Sequence, residues 1–269
     1  MMLQVSNLTV DFKSEKGLNR VVDGVNLSVD KGEIVGIVGE SGSGKSVTAQ
    51  TIIGLINRSR TEVGGSVLFE GTELLTMPRS ELRHYQGDEF SIIFQEPMTS
   101  LNPVMTIGKQ VEEAMLIHTD MDAAARRKRA LEAMDEAELP DPEKLYDKYP
   151  HELSGGMRQR VMIAAALVLE PKLLIADEPT TALDVTIQAQ IIELLKKINR
   201  EDGTAILFIS HDLGVVRKLC SRVVVMNDGK IVEEGETEDV FLHPREEYTK
   251  MLIASRPTRI KRKGGTARE

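Results

Sequence analysis

The sequence lacks most of the features that mark a secreted or membrane-spanning protein. Its 269 residues contain a single cysteine, Cys220, so the chain can form no internal disulfide and offers no second thiol to a metal site. The longest uninterrupted apolar run, Val161 to Leu169, is far shorter than the ~20 residues that a helix needs to cross a bilayer. We therefore predict a protein of a reducing compartment, in which Cys220 serves for packing.

A targeting segment is missing as well. The first ten residues, MMLQVSNLTV, have neither the basic stretch nor the long apolar segment of a signal peptide. We expect the chain to stay in the cytosol, so that any attachment to a membrane would come from partner proteins.

The chain also lacks an excess of basic over acidic residues. The formal net charge of −8 at pH 7 argues against general binding of nucleic acid, whose phosphates attract surplus Lys and Arg. The segment 255–269 is the exception, because it carries six basic residues: Arg256, Arg259, Lys261, Arg262, Lys263 and Arg268. This segment could contact anionic lipid headgroups, but we interpret it as a basic, solvated and flexible tail.

Two kinds of apolar pattern predict an α/β fold. In the first thirty residues, apolar positions alternate with polar ones, as expected for half-buried antiparallel strands; they are Leu8, Val10, Phe12, Val25, Leu27 and Val29. Four later apolar runs are short and continuous, which is typical of parallel strands covered on both faces. These runs are Ile34 to Val38, Ile92 to Phe94, Leu173 to Ala176 and Ile206 to Ile209.

Helical patterns fill the intervals. One apolar helical stripe consists of Ile187, Ile191, Leu194, Leu195 and Ile198. From about residue 96 to 165 the helical patterns occur without a convincing strand, and they include a charged helix from Ala123 to Leu139. We therefore predict a helical subdomain, about 96–165, inserted into the α/β core.

A glycine-rich segment follows the apolar run that ends at Val38. Gly39-Glu-Ser-Gly-Ser-Gly-Lys-Ser46 lies between a predicted strand and a helix, which is the context of a phosphate-binding P-loop. Its glycines allow backbone N–H groups to surround phosphates, Lys45 can reach the β- and γ-phosphates, and Ser46 offers a hydroxyl to Mg²⁺. The glycine spacing does not fit a dinucleotide-binding motif.

Two adjacent carboxylates follow another predicted strand. Asp177 and Glu178 come at the end of a buried apolar run, and ligands bind at the carboxyl ends of parallel strands. Asp177 is placed to hold Mg²⁺ through water. Glu178 is placed to orient or deprotonate the attacking water.

A second anion-binding segment precedes a helix in the predicted insert. Ser154, Gly155 and Gly156 would expose N–H groups at a helix N-terminus, where the helix dipole also favours an anion. The chain already has one phosphate cradle at residues 39–46. This second segment therefore has to serve another site.

These motifs and their order resemble the ATPase subunits of ABC transporters. The resemblance implies a P-loop NTPase core with a mostly parallel sheet, an N-terminal antiparallel β part and the helical insert, together spanning residues 1–254. It assigns catalytic roles to Glu178, His211 and Gln95, and the signature to Ser154, Gly155, Gly156 and Met157, where most members have Gln in place of Met157. Ala182-Leu183-Asp184 would form the D-loop. The implied nucleotide-binding set is Phe12, Gly39, Ser41, Gly42, Ser43, Gly44, Lys45, Ser46, Val47, Gln95 and Asp177, with Ser46, Gln95 and Asp177 toward Mg²⁺.

The assignment of Phe12 leaves two interpretations open. The family has an aromatic residue ahead of the P-loop that stacks on adenine, but Phe12 also continues the apolar alternation of Leu8 and Val10, as a core residue would.

Three longer runs are similar to the oligopeptide, dipeptide and nickel importer branch of this family. They are Phe94-Gln-Glu-Pro-Met-Thr-Ser-Leu-Asn-Pro103, Ser154-Gly-Gly-Met-Arg-Gln-Arg-Val161 and Ser210-His-Asp-Leu-Gly-Val-Val216. The similarity extends to Tyr248-Thr-Lys250, but the cysteine cluster of some members is missing, so we expect no iron–sulfur site. The branch implies an importer of oligopeptides or dipeptides, with nickel or another small solute as the alternative cargo.

The resemblance also implies an assembly. Two ATPase subunits, identical or related, would face each other with two membrane permeases and, indirectly, an external solute-binding protein, at the cytoplasmic face of the membrane and without nucleic acid. A non-transport ABC ATPase is an alternative, but such proteins usually carry two cassettes or a long coiled-coil insert. An inactive regulatory subunit would be expected to have lost hydrolytic residues, whereas all of them are in place: Lys45, Gln95, Asp177, Glu178 and His211.

Overall fold

The computed structural model of the protein describes residues 1–15, 17–181 and 183–255. Its strands are β1 (Leu3–Ser14), β2 (Gly17–Val29), β3 (Ile34–Val38), β4 (Thr61–Phe69), β5 (Thr72–Glu73), β6 (Phe90–Ile93), β7 (Leu173–Asp177), β8 (Ala205–Ile209), β9 (Arg222–Asn227) and β10 (Lys230–Glu236). Its helices are α1 (Lys45–Ile52), α2 (Arg79–Tyr85), α3 (Pro97–Ser100), α4 (Ile107–His118), α5 (Ala123–Glu136), α6 (Pro142–Tyr146), α7 (Gly155–Leu167), α8 (Val185–Asp202), α9 (Leu213–Leu219), α10 (Thr237–Leu242) and α11 (Glu247–Ala254). A short 3₁₀ turn at Pro150–Glu152 precedes α7.

The N-terminal strands form an antiparallel sheet in the order β2-β1-β4-β5. The predicted alternation is confirmed, because Leu8 faces Val25 across the β1–β2 ladder and both are buried. Strand β4 was not predicted, since Gly64 and Gly65 interrupt its apolar pattern. Gly65 has φ +98°, and a Cβ there would lie 2.5 Å from the Asn7 carbonyl oxygen, so the irregular pairing of β4 with β1 requires glycine.

A six-stranded sheet in the order β10-β9-β3-β8-β7-β6 forms the centre of the chain. Strands β9, β3, β8, β7 and β6 are parallel, and β10 pairs antiparallel with β9 at the edge. In the parallel register Ile209 of β8 lies beside Ile37 of β3 and Asp177 of β7. The segments that follow these three strands therefore emerge together at one edge of the sheet.

The predicted strand at Ile92 to Phe94 is shifted in the structure. Strand β6 is Phe90–Ile93, and Phe94 lies beyond it with 38% of its surface exposed. Phe90 explains the shift, because it pairs with Leu173 in the sheet and packs edge-on against Phe69, with 5.5 Å between ring centroids.

The segment from residue 96 to 165 is helical, as predicted. It contains helices α3 to α7 and no strand. Helices α4, α5 and α7 pack together through Met115, Met134, Val161 and their neighbours. Helix α5 ends at Glu136 instead of the predicted Leu139. Glu138 has φ 57°, a left-handed conformation that cannot continue a helix. Among the residues described, no helix combines the length and the hydrophobicity needed to cross a bilayer.

Candidate nucleotide-binding site

The loop between β3 and α1 has the geometry of a phosphate cradle. Gly44 precedes α1 with φ +100°, and a Cβ on Gly39 would lie 2.2 Å from the Met226 carbonyl oxygen, so both positions need glycine. Lys45 is 4% exposed, and its Nζ donates to the carbonyl oxygens of Gly39 at 2.9 Å and Glu40 at 2.8 Å. The loop therefore folds around its own ammonium group.

Burial has opposite consequences for the two charged groups beneath this loop. Burial lowers the pKa of Lys45, although the carboxylates of Glu178 and Asp177 oppose the shift. Burial raises the pKa of Asp177, and the charge of Glu178 adds to that, while a hydrogen bond from Ser46 and the charge of Lys45 oppose it. The site is thus a desolvated pair of opposite charges, where an added phosphate or cation would interact strongly.

Ser46 and Asp177 meet across the sheet edge. The Ser46 hydroxyl donates to Asp177 Oδ1 at 2.9 Å, although the residues are 131 positions apart. A hydroxyl and a carboxylate at this spacing are the oxygen ligands that suit Mg²⁺ in nucleotide sites. The donor set therefore fits the predicted metal, and no group of three or more His, Cys, Asp or Glu in the described ranges offers another metal site.

Glu178 is the centre of a polar cluster. Its Oε2 accepts from Gln95 Nε2 at 3.0 Å and Thr181 Oγ1 at 2.9 Å, and lies 3.0 Å from His211 Nδ1. Glu178 itself has φ 48°, and its N–H donates to the Ile209 carbonyl oxygen at 2.9 Å. The structure therefore brings together the three predicted catalytic residues.

Thr181 was not predicted. It is an ordinary turn residue in the sequence, and only its spacing of three from Glu178 could have indicated the contact. In the structure, its N–H donates to the Glu178 carbonyl oxygen at 3.1 Å, and this turn places its hydroxyl beside the carboxylate.

These groups surround a cavity of about 590 Å³. Predicted residues on its wall are Gly39, Ser41, Gly42, Gly44, Lys45, Ser46, Val47, Gln95, Glu178 and His211. Two further predicted residues, Ser43 and Asp177, bond to residues of the wall. Sequence analysis did not identify the remaining lining residues, which are Val21, Glu40, Thr181, Leu252 and Ser255.

Phe12 lies outside the cavity wall. It is half-buried and packs against the core of the N-terminal sheet, which agrees with the packing interpretation. Its stacking on adenine stays a prediction.

The second anion-binding segment lies apart from this cavity. Ser154 precedes α7, and its Oγ accepts from the Met157 N–H at 3.4 Å. A Cβ on Gly155 would meet no atom within 4 Å, whereas one on Gly156 would lie 2.9 Å from Ile187. None of these four residues lines the cavity. Within one chain, the segment is therefore an exposed helix start without a phosphate site.

The predicted D-loop is described in part, because Ala182 lies outside the described residues. Asp184 precedes α8, and its Oδ1 accepts from the N–H groups of Thr186 at 2.9 Å and Ile187 at 3.0 Å. In the isolated chain this carboxylate is therefore a helix cap.

The family model described as "ABC transporter" matches residues 22–181, a range that contains the phosphate loop, the signature, Gln95 and Glu178, whereas His211 lies beyond it. The chain belongs to the ABC transporter family.

Proteins of the family are similar over nearly the whole chain. The "Oligopeptide transport ATP-binding protein OppD" of Bacillus subtilis is 51% identical, covering 96% of this chain and 72% of that protein. The "Probable peptide ABC transporter ATP-binding protein y4tR" of Sinorhizobium fredii is 49% identical, with coverages of 96% and 78%. Among solved structures, the dimeric ATP-binding cassette MJ0796 in a post-hydrolysis state with ADP and Pi is 34% identical, with a TM-score of 0.79 over 88% of this chain and 99% of that one.

These similarities confirm the predicted family, the P-loop NTPase fold and the class of enzyme, an ATP-hydrolysing cassette. The single cysteine of the chain lies in the core. Cys220 is buried beside Gly36, where an added Cβ would lie 3.0 Å from its Sγ, and burial raises the pKa of its thiol. Its position is that of a packing residue.

Proposed function

We propose that this chain is the ATPase subunit that powers an importer of oligopeptides or dipeptides. The observation that carries the proposal is the similarity over 96% of the chain to a protein named for oligopeptide transport, combined with a cavity that holds the hydrolytic residues Lys45, Gln95, Glu178 and His211 together. An inactive subunit is disfavoured, because all four side chains are present and Gln95 and His211 both contact Glu178. An importer of nickel or another small solute, and a non-transport ABC ATPase, are the alternative functions.

The proposed binding step uses the phosphate loop. Lys45 bonds to the loop carbonyls of Gly39 and Glu40, so phosphate oxygens would take the place of these acceptors when ATP enters. Ser46 and Asp177 would hold Mg²⁺, with Gln95 nearby; the ion would neutralise charge on the β- and γ-phosphates. Phe12 would stack on adenine, as the family resemblance implies.

The proposed hydrolytic step depends on Glu178. Gln95, Thr181 and His211 all reach its Oε2, which fixes the orientation of the carboxylate. A fixed carboxylate can orient a water molecule and accept its proton as the water attacks the γ-phosphate. His211 has 58% of its side chain exposed, so it can also turn toward the phosphate.

The proposed assembly follows from the exposed start of α7. Ser154, Gly155, Gly156 and Met157 would complete the nucleotide site of a second cassette, identical or related, and Asp184 would lie at the same interface. Two permease subunits would place the pair at the cytoplasmic face of the membrane, as a peripheral complex that an external binding protein supplies. In this arrangement residues 1–254 are the ATPase domain, and the basic segment 255–269 falls largely outside the described residues.

Uptake in cells tests the cargo. A strain of the source organism that lacks this chain is supplied with the wild-type chain or with Glu178→Gln, and uptake of a labelled tripeptide and of labelled nickel is measured. We expect only the wild type to restore peptide uptake and neither chain to change nickel uptake. Restoration of nickel uptake alone would establish the alternative cargo, and restoration of neither would favour a non-transport ATPase.

A further inference from the structure

The C-terminal helix α11 contacts the nucleotide-binding loop. The backbone N–H of Glu40, the second residue of the loop, donates to the Tyr248 hydroxyl oxygen at 3.1 Å, across 208 positions of sequence. Leu252 and Ser255, one turn and two turns further along, line the same cavity as the loop. The end of the described chain therefore belongs to the wall of the nucleotide site.

Helix α11 is anchored to the central sheet. The carboxylate of Glu233 on β10 accepts from the backbone N–H groups of Arg245 at 2.8 Å and Glu246 at 3.2 Å, immediately before α11 begins. Leu252 and Ile253, both on α11, line a small apolar cavity together with Val38. Since Val38 directly precedes the loop, the helix start and the loop are fixed to the same end of the central sheet.

The peptide of Glu40 is held on both sides. The Tyr248 hydroxyl accepts from the Glu40 N–H. The carbonyl oxygens of Glu40 and Gly39 both accept from Lys45 Nζ. The Ser43 N–H also donates to the Glu40 carbonyl oxygen at 3.2 Å. These bonds would keep the first turn of the loop in place if Lys45 exchanged its carbonyl partners for phosphate oxygens.

We propose that Tyr248 is a positioning residue for the phosphate-binding loop, which makes α11 a part of the ATP site. Tyr248 acts on the nucleotide through Glu40 and does not touch the reacting atoms. The inference rests on the proposed function of the loop in binding ATP. It predicts that loss of the hydroxyl weakens ATP binding more than it slows the chemical step, because the Glu178 cluster is not altered.

Tyr248→Phe in the full chain tests this proposal, because it removes the hydroxyl and keeps the half-buried ring. Lys250→Ala is the matched control: Lys250 is an exposed residue of the same helix, and its side chain pairs with Glu247 at 2.6 Å and lies outside the cavity wall. We expect Tyr248→Phe to raise the KM for MgATP about 3- to 10-fold, the usual effect of one lost hydrogen bond, with kcat changed less than about 2-fold. Hydrogen exchange should accelerate in the peptide containing Glu40, without faster exchange in β3.

Several outcomes would overturn the proposal. One is unchanged exchange at Glu40 with an unchanged KM. Another is a rise in KM for Lys250→Ala equal to that for Tyr248→Phe. A third is a lowered thermal midpoint of Tyr248→Phe with kcat lowered by the same factor as KM is raised, which would indicate a merely structural role. Lys45→Ala separates this inference from its premise: equal MgATP affinity of wild type and Lys45→Ala would overturn the proposed function itself, whereas failure of the Tyr248 proposal alone leaves the Lys45→Ala loss in place.

Discussion

The two anion-binding segments of this chain differ in completeness. At the edge of the central sheet, Ser46 of the phosphate loop bonds to Asp177, and the adjacent Glu178 bonds to Gln95, all within one chain. At the start of α7, Ser154 and Gly155 are exposed and lie outside the cavity wall. The sheet therefore brings the groups proposed for hydrolysis together within one chain, and we call them the preassembled half of the site. The exposed start of α7, which we propose to offer its N–H groups to a second chain, is called the outward-facing half.

Substitution at the centre of the preassembled half should have the largest effect. Glu178→Gln keeps the shape of the side chain and can still bond to Thr181 and His211, but an amide cannot accept the proton of an attacking water. We expect turnover to fall about 10²-fold or more while MgATP affinity is retained. Steady-state hydrolysis in the presence of the ATPase partner, together with a nucleotide titration, measures both quantities.

The matched control for Glu178 is Glu193→Gln. Glu193 is an exposed carboxylate on α8 whose side chain is 72% accessible, and its loss should leave hydrolysis unchanged. Hydrolysis by Glu178→Gln near the wild-type rate would exclude this carboxylate as the residue that handles water.

The outward-facing half is tested by mixing two defective chains. Gly155→Asp fits the folded chain, because a Cβ there meets no atom within 4 Å, but its carboxylate would repel a phosphate of a partner's nucleotide. Lys45→Ala removes the cation of the phosphate loop. If the chain pairs with itself, one interface of the mixed dimer joins an intact loop to an intact signature, so we expect hydrolysis above that of either variant alone.

Gly155→Asn is the control, since it adds similar bulk without the charge and should impair hydrolysis less than Gly155→Asp. Pairing is verified by analytical ultracentrifugation. No recovery in a mixture that demonstrably pairs would exclude a shared site.

The sequence predicts some residues of the nucleotide site and not others. The loop 39–46 and the pair Asp177 and Glu178 are contiguous motifs that directly follow buried strands, and the order of parallel strands then brings them together. Thr181 and Tyr248 could not be identified as site residues in this way. Thr181 is a common residue in a turn, and Tyr248 contacts Glu40 across 208 positions, a distance for which local patterns carry no information.

Local backbone conformation accounts for other differences. Strand β4 is hard to recognise in the sequence, because Thr9 lies close to Gly64 and Asn7 lies close to Gly65. Glycine at these two positions interrupts the alternation of side chains. Glu138 ends α5 early through its left-handed φ of 57°, which is uncommon for glutamate and has no sequence signal. The fold class and the core of the site were therefore predictable, whereas contacts made by tertiary packing were not.

Thr181 allows a finer test of the preassembled half. Thr181→Ala removes one of the donors to Glu178 Oε2, and we expect kcat to fall about 5- to 20-fold, as a bond worth roughly 1 to 2 kcal/mol would give. Thr181→Ser retains the hydroxyl and should stay within about 3-fold of wild type. Equal rates for Thr181→Ala and Thr181→Ser would show that this hydroxyl does not orient Glu178.

Substitution of Asp184 should have the smallest effect. Asp184 lies between the two halves of the site, because it follows the turn at Glu178 and precedes α8. Helix α8 in turn contacts the signature, where Ile187 lies beside Gly156. Its carboxylate accepts two backbone N–H groups, so Asp184→Ala should cost about 1 kcal/mol of stability, or roughly 2 to 4 °C in the thermal midpoint. Asp184→Asn can still cap the helix and should unfold like the wild type. These two variants separate capping of the helix from a role toward a partner chain. If a partner chain needs the negative charge, Asp184→Asn should reduce hydrolysis while its thermal stability stays that of the wild type. Normal stability of Asp184→Ala, measured by thermal unfolding, would show that the cap contributes nothing, and reduced hydrolysis with that normal stability would assign Asp184 to the outward-facing half.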